Sequence, residues 1–275
     1  MIGMSKKFKL GVIGNPIEHS LSPFIHSRFA RQEKINLDYK AHKVDLEKFN
    51  SFVSDFFSDP LAKGLNITLP FKSEAASLDG RISPEAQQIN AVNTISIKNK
   101  KYVLDSTDGT GFIEDLQSKK ISLKNKNVLL IGAGAAIESI LYRIIFEKPR
   151  SISIKNRTIE KATHLKDKYS NYGSINLMTN FEEPYDLIIN GSSAGLTGNF
   201  LNPGELSLSE KPYFYDLNYS LDETPFCNWA SEYSENVYDG TGMLVNQAAQ
   251  SFNKWFGVLP SVFEVITELQ GLKNE

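Results

Sequence analysis

The sequence predicts an α/β protein built as two domains with largely parallel sheets. Three observations point there. Short apolar runs alternate with segments of helical periodicity along most of the chain. The alternation starts afresh near Asn127, after a stretch that reads as a hairpin. The 275 residues are enough for two moderate domains, each with its own core.

Taken in order, Leu10 to Gly14 is a short apolar strand. Ser22-Pro23 opens a helix carrying Phe24, Ile25 and Phe29, with serine as cap and proline in the first turn. Leu37 to Val44 reads as a second strand. Leu46, Phe49, Val53, Phe56 and Phe57 recur at helical spacing. Leu65 to Leu69 is a third strand, and Pro70 and Phe71 begin another helix. Ala91 to Ile97 and Tyr102 to Leu104 form a hairpin around Lys98-Asn99-Lys100-Lys101.

In the second half, Val128 to Ile131 is a strand, and Ala135 to Glu147 is a helix stopped by Pro149. Ile152 to Lys155, Leu187 to Asn190 and Tyr213 to Leu217 are further strands, and Thr158 to Tyr169 is a helix. Amphipathic helices from Gly242 and from Ser261 close the chain and are expected to return to the first domain. The predicted division is therefore 1–107 plus 242–275 against 108–241. Right-handed crossovers follow from the β-α-β order.

Composition excludes several classes. Hydrophobic residues make up 41% and charged residues 23%, with net charge −2 and no long run of either sign. A nucleic-acid partner would leave a basic patch, and none is visible. The single cysteine, Cys227, forms no internal disulfide and suits a reducing compartment. None of His19, His26, His42 and His164 lies in a metal-ligand pattern, so no metal is expected. No apolar run approaches the ~20 residues that span a membrane, and Asn15, Pro16 and Glu18 interrupt the N-terminal apolar stretch. The expected location is cytoplasmic.

The strand Val128 to Ile131 runs into Gly132-Ala133-Gly134 and then the helix from Ala135 and Ala136. Gly132 permits a tight turn, Gly134 lets backbone approach a pyrophosphate, and the helix start offers N–H groups to that anion. This is the opening of a Rossmann-type, doubly wound nucleotide-binding domain. Ile137 replaces the third glycine of the usual pattern, and Glu138 puts an acid in the first turn. An NAD site places a carboxylate about 20 residues further on, at the ribose 2′-hydroxyl. Here Asn156-Arg157-Thr158 stand there, with Lys161 one turn beyond. A guanidinium binds a 2′-phosphate where a carboxylate would repel it. The expected cofactor is NADP.

The first half carries Asn66-Ile67-Thr68-Leu69-Pro70-Phe71-Lys72, and later Ser106-Thr107-Asp108-Gly109. Asn66 and Thr68 share one face of a strand. A lysine and a carboxylate beside a dinucleotide domain suit hydride transfer to a ketone, which needs a proton at oxygen as hydride reaches carbon. With Gly14-Asn15-Pro16-Ile17, His19-Ser20-Leu21-Ser22-Pro23, Ala91-Val92-Asn93-Thr94 and Asp239 to Gln247, these motifs resemble, in order and over nearly the whole length, the shikimate dehydrogenase family.

The resemblance implies an NADP-dependent enzyme with an N-terminal open α/β substrate-binding domain. The implied reaction is the interconversion of 3-dehydroshikimate and shikimate in chorismate and aromatic amino acid biosynthesis. It implies Lys72 and Asp108 as the catalytic pair and Ser20 and Ser22 on the substrate carboxylate. Asn66, Thr68, Asn93 and Gln247 would face the ring hydroxyls, with Tyr219 near the substrate. Gly132, Ala133, Gly134, Ala135, Ala136, Asn156, Arg157, Thr158, Lys161, Leu217, Gly240 and Met243 would hold the cofactor. The chain departs from the family's usual residues at Ser106, Ala135, Ile137 and Glu138. Two rivals are a quinate/shikimate dehydrogenase, which should favour NAD, and a non-catalytic paralogue that binds substrate or nucleotide. The expected partner is a small-molecule substrate, with no nucleic acid or membrane; monomer and homodimer both remain open.

Overall fold

A computed structural model describes residues 6–178, 183–192, 194, 200–220 and 222–272. In chain order the elements are β1 (Phe8–Gly14), α1 (Ser22–Gln32), β2 (Leu37–Lys43), α2 (Phe49–Ser58), β3 (Ala62–Ile67), α3 (Lys72–Ala75), β4 (Gly80–Ile82), α4 (Pro84–Ile89), β5 (Thr94–Lys98) and β6 (Lys101–Asp105). Then follow α5 (Asp108–Ser118), β7 (Asn127–Ile131), α6 (Ala135–Phe146), β8 (Ser151–Lys155), α7 (Ile159–Tyr169), β9 (Ile175–Leu177) and β10 (Tyr185–Asn190). The chain continues through β11 (Leu208–Asp216), α8 (Pro225–Ala230), β12 (Val237–Tyr238), α9 (Thr241–Phe256) and α10 (Phe263–Leu272). It divides into two compact units, 1–111 with 245–267 and 112–244 with 268–275.

The first unit is a six-stranded mixed sheet in the order β2-β1-β3-β5-β6-β4. β1 pairs in parallel with β2 and β3, whereas β5 runs antiparallel to both β3 and β6. The β5–β6 hairpin turns on Asn99 and Lys100, with φ of 52° and 62°. Positive φ at both central residues is the type I′ geometry, whose twist matches that of the strands. The register sets Val12, Asn66, Thr94 and Asp105 in one line across the sheet. Under this line lies a core of Ile13, Phe49, Val53, Leu65, Phe71, Ile95 and Leu104. Phe49 and Phe71 stack there with centroids 5.1 Å apart, a contact worth about 0.5–1.5 kcal/mol beyond its burial.

Two local readings change. Ser22 does not cap α1: it is the first helical residue, the cap position is Leu21, and Ser20 Oγ accepts the Ser22 amide at 3.3 Å. The helix after Pro70 is a single short turn, α3, that starts at Lys72.

The second unit holds a six-stranded parallel sheet in the order β12-β11-β10-β7-β8-β9. Counted from β7, this is the doubly wound order 3-2-1-4-5-6, which reverses between β7 and β10. β7 is buried along its whole length, as expected of a strand covered on both faces. Ile137, Ile140, Leu141 and Ile144 of α6 pack with Val128, Leu130, Ile152, Leu187 and Ile189 in one core. Among the described residues no helix is long and apolar enough to cross a membrane.

Candidate active site

In the first unit the lined-up strand ends deliver polar side chains to one place. Lys72 opens α3 and Asp108 opens α5; Lys72 Nζ donates to Asp108 Oδ2 at 2.7 Å. The lysine side chain is 21% exposed and the aspartate 8%, so the pair is mostly withdrawn from water while one side stays reachable. Asp108 Oδ1 accepts from Asn93 Nδ2 at 2.9 Å, and the same nitrogen lies 2.9 Å from Thr107 Oγ1 and 3.2 Å from Gln247 Oε1. Asn93 Oδ1 accepts from the Thr107 amide and from Thr94 Oγ1, at 2.9 and 2.8 Å. The Asn93 amide is thereby fixed in orientation, with its N–H groups turned towards the carboxylate.

Asn66 is engaged throughout. Its Oδ1 accepts from Tyr39 Oη at 2.7 Å, and its Nδ2 faces the Asn93 carbonyl, Thr94 Oγ1 and Ser251 Oγ at 3.1, 3.3 and 2.9 Å. Burial pushes the Tyr39 pKa well up, so Tyr39 stays an O–H donor. Ser20 and Ser22 lie at the start of α1, and Thr68 follows β3 with its amide donating to the Ile13 carbonyl at 2.9 Å. Among the described residues no side-chain hydrogen bond joins Ser20, Ser22 or Thr68 to Lys72, Asp108 or Asn93; Ser22 meets the network through its hydrogen bond with Tyr39.

In the second unit the turn after β7 has Gly132 at φ 109°, a region that L side chains rarely adopt. Gly134 is the N-cap of α6 with no capping side chain, and a β-carbon there would meet no atom within 4 Å. Ala133 is half-buried, and Ala135 and Ala136 are exposed in the first turn. The first-turn N–H groups therefore face outward as donors for an anion. At the end of β8, Asn156 Nδ2 donates to the Thr158 carbonyl at 2.7 Å, which pins the turn. Arg157, Thr158 and Lys161 are exposed, and among the described residues neither cation is in an ion pair. Thr158 occupies the N-cap of α7 without a side-chain capping bond. This donor set fits an NADP adenosine end: open backbone N–H groups for the pyrophosphate and two free cations for the 2′-phosphate.

The loop after β11 is held by Asp216, which is fully buried. Its Oδ1 accepts from Asn190 Nδ2 at 2.9 Å and from Asn218 N and Nδ2 at 3.0 and 2.9 Å, while Oδ2 accepts from Thr224 Oγ1 at 2.7 Å. Burial raises its pKa and those hydrogen bonds oppose the rise. The loop draws Leu217 to the Asn190 carbonyl and Gly240 to the Asn218 carbonyl, at 2.8 and 2.9 Å. Gly240 is needed there, because a β-carbon would lie 2.4 Å from the Leu217 oxygen. Met243 packs against the second core, and Tyr219 is 39% exposed.

Comparison with known proteins matches three family models in succession. They are the shikimate dehydrogenase substrate binding domain over residues 12–95, shikimate / quinate 5-dehydrogenase over 115–204, and the shikimate 5'-dehydrogenase C-terminal domain over 240–269. The shikimate dehydrogenase (NADP(+)) of Colwellia psychrerythraea is 42% identical over 262 residues, covering 94% of this chain and 95% of the relative. The chain belongs to the shikimate dehydrogenase family. The enzyme of the same name from Vibrio campbellii is 39% identical, covering 95% of this chain and 96% of the relative. Among solved structures, the Thermus thermophilus shikimate 5-dehydrogenase in complex with NADP(H) and shikimate superposes with a TM-score of 0.85. It is 27% identical and covers 97% of this chain and 98% of the other.

Two departures from the family's usual phosphate turn have a physical account. Glu138 accepts from Lys168 Nζ at 2.6 Å and from Tyr169 Oη at 3.5 Å, so its charge is matched by an ammonium on α7. Ile137 is completely buried and sits against Gly191: a β-carbon on Gly191 would lie 2.7 Å from Ile137 Cδ1. The close approach that a third glycine normally gives to this family's helix is supplied from the facing strand end. Sequence reasoning missed Tyr39, Thr94, Thr107 and Ser251. Ser251 was within reach, since it lies four residues after Gln247 and so on the same helical face.

Proposed function

We infer that the chain catalyses the NADP-dependent, reversible reduction of 3-dehydroshikimate to shikimate, the family's step towards chorismate and the aromatic amino acids. The observation that carries the mechanism is the half-shielded Lys72–Asp108 pair, at 2.7 Å, held from behind by Asn93. NADPH supplies the hydride. The Lys72 ammonium gives its proton to the ketone oxygen as the carbon is reduced, leaving a neutral amine that regains a proton from solvent; oxidation of shikimate runs the same path backwards. Asp108 orients the ammonium and accepts a hydrogen bond from an adjacent substrate hydroxyl.

Ser20 and Ser22 bind the substrate carboxylate, and Thr68, Asn93 and Gln247 take the ring hydroxyls, with Tyr219 beside them. The turn from Gly132 to Ala136 holds the pyrophosphate. Asn156, Arg157, Thr158 and Lys161 hold the 2′-phosphate end, and Leu217, Gly240 and Met243 the nicotinamide end. The composition and the chemistry of the step suit the cytoplasm.

The test is absorbance of NADPH on mixing the purified protein with shikimate and NADP. A rise that is much weaker with NAD supports both the reaction and the phosphate assignment. No rise from folded protein that still binds NADP favours a non-catalytic binder. Equal or faster turnover of quinate with NAD overturns the reading in favour of the quinate/shikimate enzyme.

A further inference from the structure

Two buried hydroxyls stand behind the proposed catalytic pair without belonging to any sequence motif. Tyr39 comes from β2 and Ser251 from α9, and they are 8% and 0% exposed. They reach Asn66 from opposite ends of its amide: Tyr39 Oη donates to Oδ1 at 2.7 Å, and Ser251 Oγ accepts from Nδ2 at 2.9 Å. Ser251 Oγ is also 2.7 Å from Thr94 Oγ1 and 3.2 Å from Thr107 Oγ1, and it lies 3.0 Å from the Gln247 carbonyl.

An amide has two N–H groups to give. Asn66 Nδ2 already faces three acceptors, the Asn93 carbonyl, Thr94 Oγ1 and Ser251 Oγ. These partners all belong to the frame, whereas two of the three facing Asn93 Nδ2, Asp108 and Gln247, are themselves proposed substrate-facing groups; Asn66 itself is 6% exposed. What Asn66 holds instead is the backbone of Asn93. From there the connection runs outward: Thr94 and Thr107 fix Asn93 Oδ1, Asn93 Nδ2 fixes Asp108 Oδ1, and Asp108 Oδ2 holds Lys72. Every step is a hydrogen bond between buried or half-buried groups, where a missing partner is not replaced by water.

We propose that Tyr39 and Ser251 are positioning residues for the reaction: by locking the Asn66 amide from both ends they set Asn93, and through it the orientation of Asp108 towards Lys72. This rests on the reading of Lys72 and Asp108 as the reacting pair. It moves Asn66 from the substrate's hydroxyls, where the family resemblance had placed it, to the frame behind them.

The test uses variants that keep volume while removing hydrogen bonds. Tyr39→Phe deletes one oxygen, and Ser251→Cys replaces a hydroxyl by a thiol that donates and accepts weakly. Each should lower kcat about ten-fold, because small misplacement of a reacting group is costly, while KM for NADP stays unchanged. The double variant should lose little more than the worse single one, since both act on the same amide. Ser251→Thr keeps the hydroxyl and should return kcat to about two-fold of wild type, even if the added methyl lowers the melting temperature. A purely structural role would lower the melting temperature of Tyr39→Phe and Ser251→Cys and leave kcat, measured well below unfolding, within about two-fold of wild type; that result overturns the proposal. Lys72→Ala is the control: full turnover there sinks the reaction reading itself, whereas loss in Lys72→Ala with no loss in the other variants sinks only the positioning role.

Discussion

Ile137 and Gly191 share one volume: a β-carbon on Gly191 would stand 2.7 Å from both Cδ1 and Cγ1 of Ile137, with Leu217 Cδ1 at 2.9 Å. The residue that breaks the glycine pattern of α6 is accommodated by a glycine at the end of β10. Gly191→Ala should therefore destabilise the protein by about 1–3 kcal/mol. In an Ile137→Val background the same change should cost less. Equal costs in both backgrounds, by urea denaturation, would show that the two positions do not compete for space.

Lys72→Ala should lower kcat by about 10²–10⁴-fold, the usual worth of a placed general acid, with the melting temperature little changed. Lys72 is partly exposed and lies in a short turn, so its loss empties no core. Single-turnover rates with bound NADPH separate this from a loss of binding.

Arg157→Ala should raise KM for NADPH roughly 10- to 100-fold, matching the roughly 1.5–3 kcal/mol of a charge-assisted hydrogen bond. KM for NADH should barely move, because NADH has no 2′-phosphate. An equal rise for both cofactors would place Arg157 elsewhere than at that phosphate.

Lys168→Met removes the ammonium that matches Glu138 in the first turn of α6. The carboxylate, left with only the long hydrogen bond from Tyr169 Oη, then opposes an anion at the same helix start. Affinity for NADP should fall by roughly two- to five-fold at low salt, in line with about 0.3–1 kcal/mol for a charge at a helix end. The loss should shrink as salt is added, and Glu138→Gln in the same chain should restore binding. Nucleotide titration at two ionic strengths decides it.

His26 is fully buried and stacks on Tyr39 with ring centroids 4.3 Å apart. Among the described residues its ring nitrogens lack a well-formed hydrogen bond, and desolvation, opposed by the neighbouring Asn66 amide, lowers its pKa from 6.5 to about 3. The unfolded chain therefore binds a proton on His26 below pH 6.5 that the folded chain does not. Stability contributed by the neutral ring is complete above that pH and declines towards pH 3, by about 1.4 kcal/mol per pH unit inside the window. His26→Phe should flatten this acid limb by close to one proton in denaturation curves collected from pH 7 to pH 4. An unchanged slope would mean that His26 is protonated in the native state.

The parts of this molecule visible in its sequence are those set by local pattern. The continuous apolar run of β7 and the turn at Gly132 needed only the periodicity of a buried strand and the conformational freedom of glycine. The Lys72–Asp108 contact came with the motifs. The three-residue strands β4 and β9 were not legible, because so short a segment shows no alternation. The partners of Asn66 were not legible either. Tyr39 and Ser251 are far from it in sequence, and only the sheet register and the return of α9 bring them together. Glu138 looked like an obstacle until α7 supplied Lys168, a pairing between elements that no window of sequence contains.

The first unit is interrupted: residues 1–111 meet 245–267 only after residues 112–244 have been made. Ser251 and Gln247 arrive with that late segment, as does Trp255, whose indole donates to the Ile95 carbonyl at 3.1 Å and lies on the bare backbone of Gly64. On the ribosome the face that α1 and α9 share must wait only partly covered while the intervening chain is translated. A nascent or prematurely stopped chain can already carry Lys72 and Asp108, yet it lacks the strap that sets them. Products that stop before Gln247 should therefore be inert in the proposed reaction.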